Sequence, residues 1–368
     1  MTYNLNRIPV CLPKLPRYTY LKGYLSQIDE SRFYTNFGPL ENRLKERISD
    51  EFNIKKEFLT TVSSGTQALQ LILRSFNFQG GDLVLCSSWT FVATAQAIVS
   101  ESLTPIFIDP SKDNWQLYPE KVKKAKEKFG SKLKAVILTA PFGESIDVRL
   151  WEAVKEDINL EIVIDAAALA LDYVLPSYSI PIMVSLHATK LLPAAEGGLV
   201  ISGNQGLIEE VKQLSNFGIS SKGIFKSGTN SKLSEYHAAV GLASIDHWEE
   251  ISDEFQTIQK IYQKNFAGMD SVALFSLGNS IKNTVIAISK RDISNYCHSK
   301  GIETRKWWRF GCHKEPYFEK FDRFDSLEVT EAIANNYIGL PCFRDLDTNT
   351  INYISDIVIE ASREANSR

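Results

Sequence analysis

Between residues 58 and 202 six short apolar runs recur: LTTV (59–62), LVLCS (83–87), TPIFID (104–109), KAVILTA (134–140), EIVIDAA (161–167) and GLVIS (198–202). Runs of this kind, rich in β-branched residues and without polar alternation, are strands covered on both faces of a mostly parallel sheet. Helical patterns lie between them. In Gln67–Phe76, Ala68, Leu69, Ile72 and Leu73 share one face, and Phe91–Ser100 is a second helix candidate. The alternation predicts an α/β fold, a doubly wound and mostly parallel central sheet flanked by helices. After about residue 245 the pattern changes. Helical stretches at 254–266, 291–299 and 348–361 bracket VALFSL (272–277) and NTVIAIS (283–289), whose Gly278-Asn279 link reads as a hairpin turn. The expected organisation is a large α/β domain over 1–245, N-terminal arm included, and a smaller C-terminal α+β domain over 246–368.

A chain of 368 residues can bury a core of that size without covalent staples. Its 41 basic and 44 acidic side chains give a net charge of -3, without the cationic excess that a phosphate backbone would demand, so nucleic acid is not an expected partner. Five cysteines are scattered with no CxxC pair, which predicts neither a disulfide framework nor a metal site and fits a reducing cytoplasm. No apolar run reaches membrane-spanning length, and the first 17 residues lack the apolar stretch of a signal peptide. Walker A, GxGxxG, HExxH, GxSxG and zinc-deaminase patterns are all absent.

Three segments carry chemistry. In Val62-Ser63-Ser64-Gly65-Thr66-Gln67 a strand ends in small hydroxyl residues before an amphipathic helix, which exposes backbone N–H groups and the positive helix end to an anion. The same residues also suit an ordinary N-cap. Asp165 closes the apolar run EIVID, where a strand end points into the crevice at which open α/β sheets bind ligands. A capping role is the alternative. Lys190 lies in SLHATKLLP before Glu196-Gly197-Gly198, a small and apolar setting in which desolvation favours the free amine; a plain surface lysine is the alternative. Phosphate cup, buried carboxylate and reactive lysine are together the parts that a pyridoxal phosphate (PLP) site needs.

At these residues the chain resembles the DegT/DnrJ/EryC1/StrS family of PLP-dependent nucleotide-sugar aminotransferases, of fold type I. The likeness runs in register through TNFGP (35–39), SSGTQAL (63–69), SWTFVAT (88–94), PIFID (105–109), IDAA (164–167), the lysine segment with EGG, GTN (228–230) with LSE (233–235), GIETR (301–305) and Leu340-Pro341. The resemblance implies that Lys190 carries the cofactor, that Asp165 pairs with its pyridine nitrogen, that Gly65, Thr66 and Ser185 bind its phosphate and that Phe91 stacks on its ring. An aromatic face would fix such a flat heterocycle, although core packing would also suit Phe91. It further implies that Asn230 reaches the neighbouring subunit's cofactor, so that the working unit is a homodimer.

Three positions depart from the family pattern: Ala168 stands where Gln or His is common, Ala195 where glycine precedes EGG, and Ser231-Lys232 where Tyr-Arg is usual. His187, three residues before Lys190, together with EGG resembles members that aminate C4 of nucleotide-linked 4-keto-6-deoxy sugars; 3-keto enzymes more often carry Tyr and DGG. Arg305-Lys306-Trp307-Trp308-Arg309 combines cations and stacking surface, as a nucleotide diphosphate requires, and its Trp pair resembles that of the dTDP-4-amino-4,6-dideoxyglucose transaminases. Core aromatics are the competing reading. The expected activity is transfer of an amino group from glutamate to a nucleotide-linked keto sugar, dTDP-4-keto-6-deoxyglucose for choice, with Lys190, Asp165 and His187 catalytic and His187, Arg305, Trp307 and Trp308 facing the sugar nucleotide. A 3-keto aminotransferase, or a non-catalytic regulatory or scaffold protein of the same fold, is the alternative.

Overall fold

A computed structural model describes residues 7–276 and 280–366. Helices α1 (Tyr18–Ser31) and α2 (Pro39–Phe52) lead into β1 (Leu59–Val62). There follow α3 (Gly65–Ser75), β2 (Leu83–Ser87), α4 (Val92–Ser100), β3 (Thr104–Ile108), α5 (Pro119–Phe129), β4 (Leu133–Thr139), α6 (Val148–Ile158) and β5 (Glu161–Asp165). Next come β6 (Ile182–Ser185), β7 (Gly198–Ile201), α7 (Gln205–Leu214), the short ribbon β8 (Ile219–Ser220) and β9 (Gly223–Ile224), and α8 (Glu235–Ile245). The C-terminal part holds α9 (Trp248–Phe266), β10 (Val272–Leu274), β11 (Val285–Ser289), α10 (Ser294–Ser299), α11 (Glu328–Asn336), β12 (Tyr337–Leu340) and α12 (Thr348–Asn366).

All six apolar runs are strands of one sheet, in the order β1-β7-β6-β5-β4-β2-β3. A seventh strand, β6, was not apparent from the sequence, because four residues behind Pro181 in a stretch rich in Ser, Tyr and Pro read as loop. Only β7 runs antiparallel to its neighbours. The C-terminal ends of β1, β5 and β6 therefore share one edge with the start of β7, where Gly198 is paired with both Val62 and Ser185. Helix α3 begins two residues earlier than its apolar periodicity suggested, because the Ser64 side chain caps it by accepting from the Gln67 N–H at 3.2 Å. Its Leu69 and Ile72 are fully buried, and truncating either to alanine would cost about 2–5 kcal/mol.

The second sheet, β10-β11-β12, is antiparallel, with Val272 opposite Ser289 and Val285 opposite Leu340. The expected Gly278-Asn279 turn lies outside the described residues. Between α8 and α9, where the sequence suggested a domain boundary, apolar packing is continuous: Leu44, Leu171, Trp248, Ile258 and Ile354 belong to one cluster. Asp109, just beyond β3, adds a polar joint. Its carboxylate accepts from the N–H groups of Val329 (2.7 Å) and Thr330 (2.8 Å) and from the Thr330 hydroxyl (2.7 Å), capping α11 of the second sheet's layer. Among the described residues no helix is long and apolar enough to cross a membrane.

Candidate active site

Strand register places Asp165 at the end of β5 beside Thr139 of β4 and Met183 of β6. Its side chain is 5% exposed. A carboxylate so buried needs donors, and three hydroxyls supply them in series. Thr139 Oγ1 donates to Thr90 Oγ1 (2.9 Å), Thr90 to Thr94 (2.8 Å), and Thr94 to Asp165 Oδ2 (2.6 Å). Each hydroxyl has one proton, so the donor at the carboxylate end sets the direction of the whole chain. The Ala167 N–H adds a bond to Oδ1 at 3.2 Å. Burial pushes the Asp165 carboxyl above the usual carboxylate range, while Thr94, the Ala167 amide and the Lys190 ammonium oppose that rise. The sequence assigns these threonines no role; the four-residue spacing of Thr90 and Thr94 across the start of α4 is the signal available for that pair, whereas Thr139 needs the strand register.

Lys190 lies on a turn between β6 and β7 and is half-buried. Desolvation pulls its ammonium below the ordinary lysine range, and the nearby Asp165 and Cys11 counter this. The turn is closed by the Lys190 N–H on the His187 carbonyl (2.8 Å) and the Ala188 N–H on the Ala195 carbonyl (2.8 Å). His187 is fixed through its Nδ1, which accepts from the Thr189 N–H (3.2 Å) and meets the Thr189 hydroxyl (2.8 Å). Its Nε2 lies 3.5 Å from Glu196 Oε1. Ala195 has φ 65°, a left-handed conformation that favours glycine, which accounts for the residue usual at this position. Ala168 lines a cavity of about 10 Å³ together with Ala167, Ser185 and Lys190 among others.

The start of α3 makes a tight cradle against β6 and β7. A Cβ on Gly65 would lie 3.0 Å from Met183 Sδ and 3.2 Å from Ser185 Cβ, and one on Gly198 would lie 2.6 Å from the Ser64 carbonyl. Glycine is thus required at 198 for the SSGT turn to rest on the sheet. The cap reading applies to Ser64, and the first-turn N–H groups at Gly65 and Thr66 have no acceptor within the helix, which leaves them available to an anion. The Ser185 hydroxyl accepts from the His187 N–H at 3.3 Å. Ser231, the third departure, ties this cradle to the Asn230 loop: its carbonyl accepts from the Ser63 N–H (2.7 Å) and its hydroxyl donates to Gln67 Oε1 (2.7 Å).

Phe91 is not core. It is the exposed residue before α4, 55% accessible, which overturns the packing alternative and leaves its ring free to cover a ligand. Asn230 is also exposed. In the Arg305 segment Trp307 and Trp308 are both half-buried against the Trp89 cluster. Trp308 stacks on Phe142 (4.3 Å between ring centroids) and meets Trp89 edge-on (5.2 Å), so the aromatic-core reading applies to it. Arg305 lies over the Trp307 ring at 4.8 Å, with its guanidinium half-exposed beside Glu303.

The fold and this arrangement of carboxylate, lysine and glycine cradle define a PLP-dependent aminotransferase. The donor set fits the cofactor: a buried carboxylate for a ring N–H, free helix-start amides for a phosphate and a desolvated lysine for the aldehyde. Residues 20–359 match the model of the DegT/DnrJ/EryC1/StrS aminotransferase family, and the chain belongs to that family. It is 24% identical to a dTDP-4-amino-4,6-dideoxy-D-glucose transaminase of Shigella dysenteriae, across 95% of this chain and 98% of that one. Identity to a GDP-perosamine synthase of Escherichia coli O157:H7 is also 24%, across 96% and 98%. The crystal structure of DesI in the presence of its TDP-sugar product superposes with a TM-score of 0.88 at 26% identity, covering 98% of this chain and 95% of that one. The protein is a sugar aminotransferase.

Proposed function

We propose that the enzyme transfers the amino group of glutamate to C4 of a nucleotide-linked 4-keto-6-deoxy sugar, with dTDP-4-keto-6-deoxyglucose the preferred acceptor. The observation that carries the catalytic part is the strand register: Asp165 ends β5 beside Met183 of β6, and the turn that bears Lys190 leaves the end of β6 at the Gly65 and Ser185 cradle. Bound PLP supplies an electron sink for the negative charge left when a proton leaves the carbon bearing the nitrogen. Lys190 would hold the cofactor between turnovers, and its freed Nζ would carry that proton as base and then as acid. Asp165 accepts the ring N–H and keeps it protonated. Gly65, Thr66 and Ser185 hold the phosphate, and Phe91 covers one face of the ring.

The sugar assignment is supported by His187 with Glu196 on the lysine turn, by the Arg305–Trp307 pair, and by a relative named for a 4-amino-4,6-dideoxy sugar. The active unit is a homodimer in this reading. Phe217, Ile219, Ile224 and Phe225 of the β8–β9 ribbon are between 46% and 76% exposed, next to the exposed Asn230, and a second copy that buried them would receive Asn230 at its own cradle. Incubating the PLP-loaded protein with glutamate and dTDP-4-keto-6-deoxyglucose and determining the product by NMR tests the assignment. Nitrogen at C4 is expected; nitrogen at C3, or no reaction with any 4-keto-6-deoxy nucleotide sugar, overturns it.

A further inference from the structure

The segment 280–283, which leads into β11, crosses from the second sheet to the Lys190 edge of the first. It is backed by Gln259 of α9, whose Nε2 donates to the Ser280 carbonyl (3.3 Å) and whose Oε1 accepts from the Lys282 N–H (3.2 Å). Two of its side chains grip the loop after β4. The Ser280 hydroxyl donates to the Gly143 carbonyl (3.0 Å), and Lys282, 2% exposed, pairs with Glu144. The third points elsewhere: Asn283 Nδ2 donates to the Thr189 carbonyl. That carbonyl belongs to the peptide whose other end is the nitrogen of Lys190. Thr189 also holds the His187 ring through its N–H and hydroxyl. One residue, Thr189, thus joins Asn283, His187 and Lys190. Asn283 and Lys190 line the same cavity of about 30 Å³, which has room for about one water molecule.

We propose that Asn283 is a positioning residue for Lys190: from a rigid strap in the second sheet's layer it anchors the Thr189 carbonyl and so keeps the lysine turn, and the amine it carries, aimed into the cofactor site. The proposal rests on Lys190 being the lysine that carries PLP. A peptide held at its carbonyl cannot rotate, and the Cα of Lys190 is fixed with it. With the anchor gone, the turn keeps its internal bonds but loses its tie to the second sheet, and the ammonium gains access to water. Its desolvation lessens and its affinity for a proton rises. The other titratable groups around the amine and its cavity are Asp165, Cys11, Cys342, Lys14 and Arg344, none of which the substitutions below change.

The experiment follows acylation of Lys190 by a limiting amine-reactive reagent across a pH series in the full-length, cofactor-free protein, quantified by peptide mass spectrometry, with thermal unfolding measured alongside. In Asn283→Leu, similar in shape but without a donor, the midpoint for Lys190 is expected about one pH unit higher than in wild type, so that labelling below the midpoint is about tenfold slower. Asn283→Gln, which keeps the amide, restores most of the wild-type profile. Ser280→Ala removes one bond of the same strap without touching the lysine turn; it lowers the unfolding temperature and leaves the midpoint in place. Should Asn283→Leu not yield folded protein, Asn283→Ser, too short to reach the carbonyl, carries the same expectation. An unchanged midpoint in the donor-free variant, or an equal change in Ser280→Ala, overturns the proposal. Borohydride reduction of the PLP-loaded wild type separates the two readings, since attachment to a lysine other than Lys190 sinks the underlying assignment instead.

Discussion

The two flanks of the candidate site are built in opposite ways. On the Asp165 flank everything is internal: the carboxylate is 5% exposed and its donors form an unbroken series from Thr139 through Thr90 and Thr94. On the Asn230 flank the chain presents bare surface, with Phe217 49% and Phe225 76% accessible and Asn230 exposed. A buried charge must be satisfied by the chain that buries it, because water cannot reach it. An exposed apolar rim can wait for a second molecule. In the proposed function the electron-sink chemistry is accordingly an affair of one protomer, and completion of the site on the other flank an affair of two.

The largest expected effect breaks both flanks in one experiment. Lys190→Ala should abolish turnover, and Asn230→Ala should depress it strongly. Mixing the inactive Lys190→Ala with the weakly active Asn230→Ala, with subunit exchange verified, should restore part of the activity, because one site of each heterodimer then carries neither lesion. No recovery would place Asn230 in its own subunit's site and make the flanks alike.

Asp165→Asn tests the internal flank and should lower turnover by on the order of 10²-fold or more, since the ring N–H loses its charged acceptor. Stability should respond with the opposite sign. The folded-state carboxyl is raised above its ordinary value, so its contribution to stability is present at acid pH and lost as pH rises through the folded value. Near neutrality the ionised, desolvated carboxylate is a burden that asparagine does not carry. Cofactor-free Asp165→Asn should therefore unfold at the same or a higher temperature than wild type near neutral pH, with the gap closing in acid. A variant uniformly less stable across that range would refute the desolvation account.

Thr94→Val, close in shape, withdraws the nearest hydroxyl and leaves a buried acceptor short of a partner at a cost of about 1–3 kcal/mol, which sets turnover roughly tenfold lower. Steady-state rates should show Thr139→Val, two hydroxyls further away, to be milder; equal effects would mean that the series acts through packing. The smallest effect belongs to the lysine turn. Ala195→Gly relieves a left-handed alanine worth about 1–2 kcal/mol, against about 0.4–1 kcal/mol of added chain entropy. Denaturant unfolding should find the variant equal to wild type or slightly more stable.

Much of this was legible in the linear sequence, for a physical reason. Strands buried on both faces must be apolar throughout, so β1 to β5 and β7 announced themselves, and a strand that ends in Asp or in SSGT exposes its chemistry at the point where the apolar pattern stops. Lys190, Asp165 and Gly65 were readable because their types are costly or unusual in such places. Other features depended on distance along the chain being erased. Nothing local marks Thr139 as a neighbour of Asp165 until β4 and β5 pair in register. Asn283 lies 94 residues from the carbonyl it holds. Phe91 and Trp308 are both aromatic residues in promising motifs, yet one is bare and the other is stacked on Phe142 and Trp89, and only the packing of the two layers separates them. Sequence alone determined which groups this protein has for its chemistry; the tertiary structure decided which of them meet, because strand register and interlayer packing are properties of contacts between distant segments.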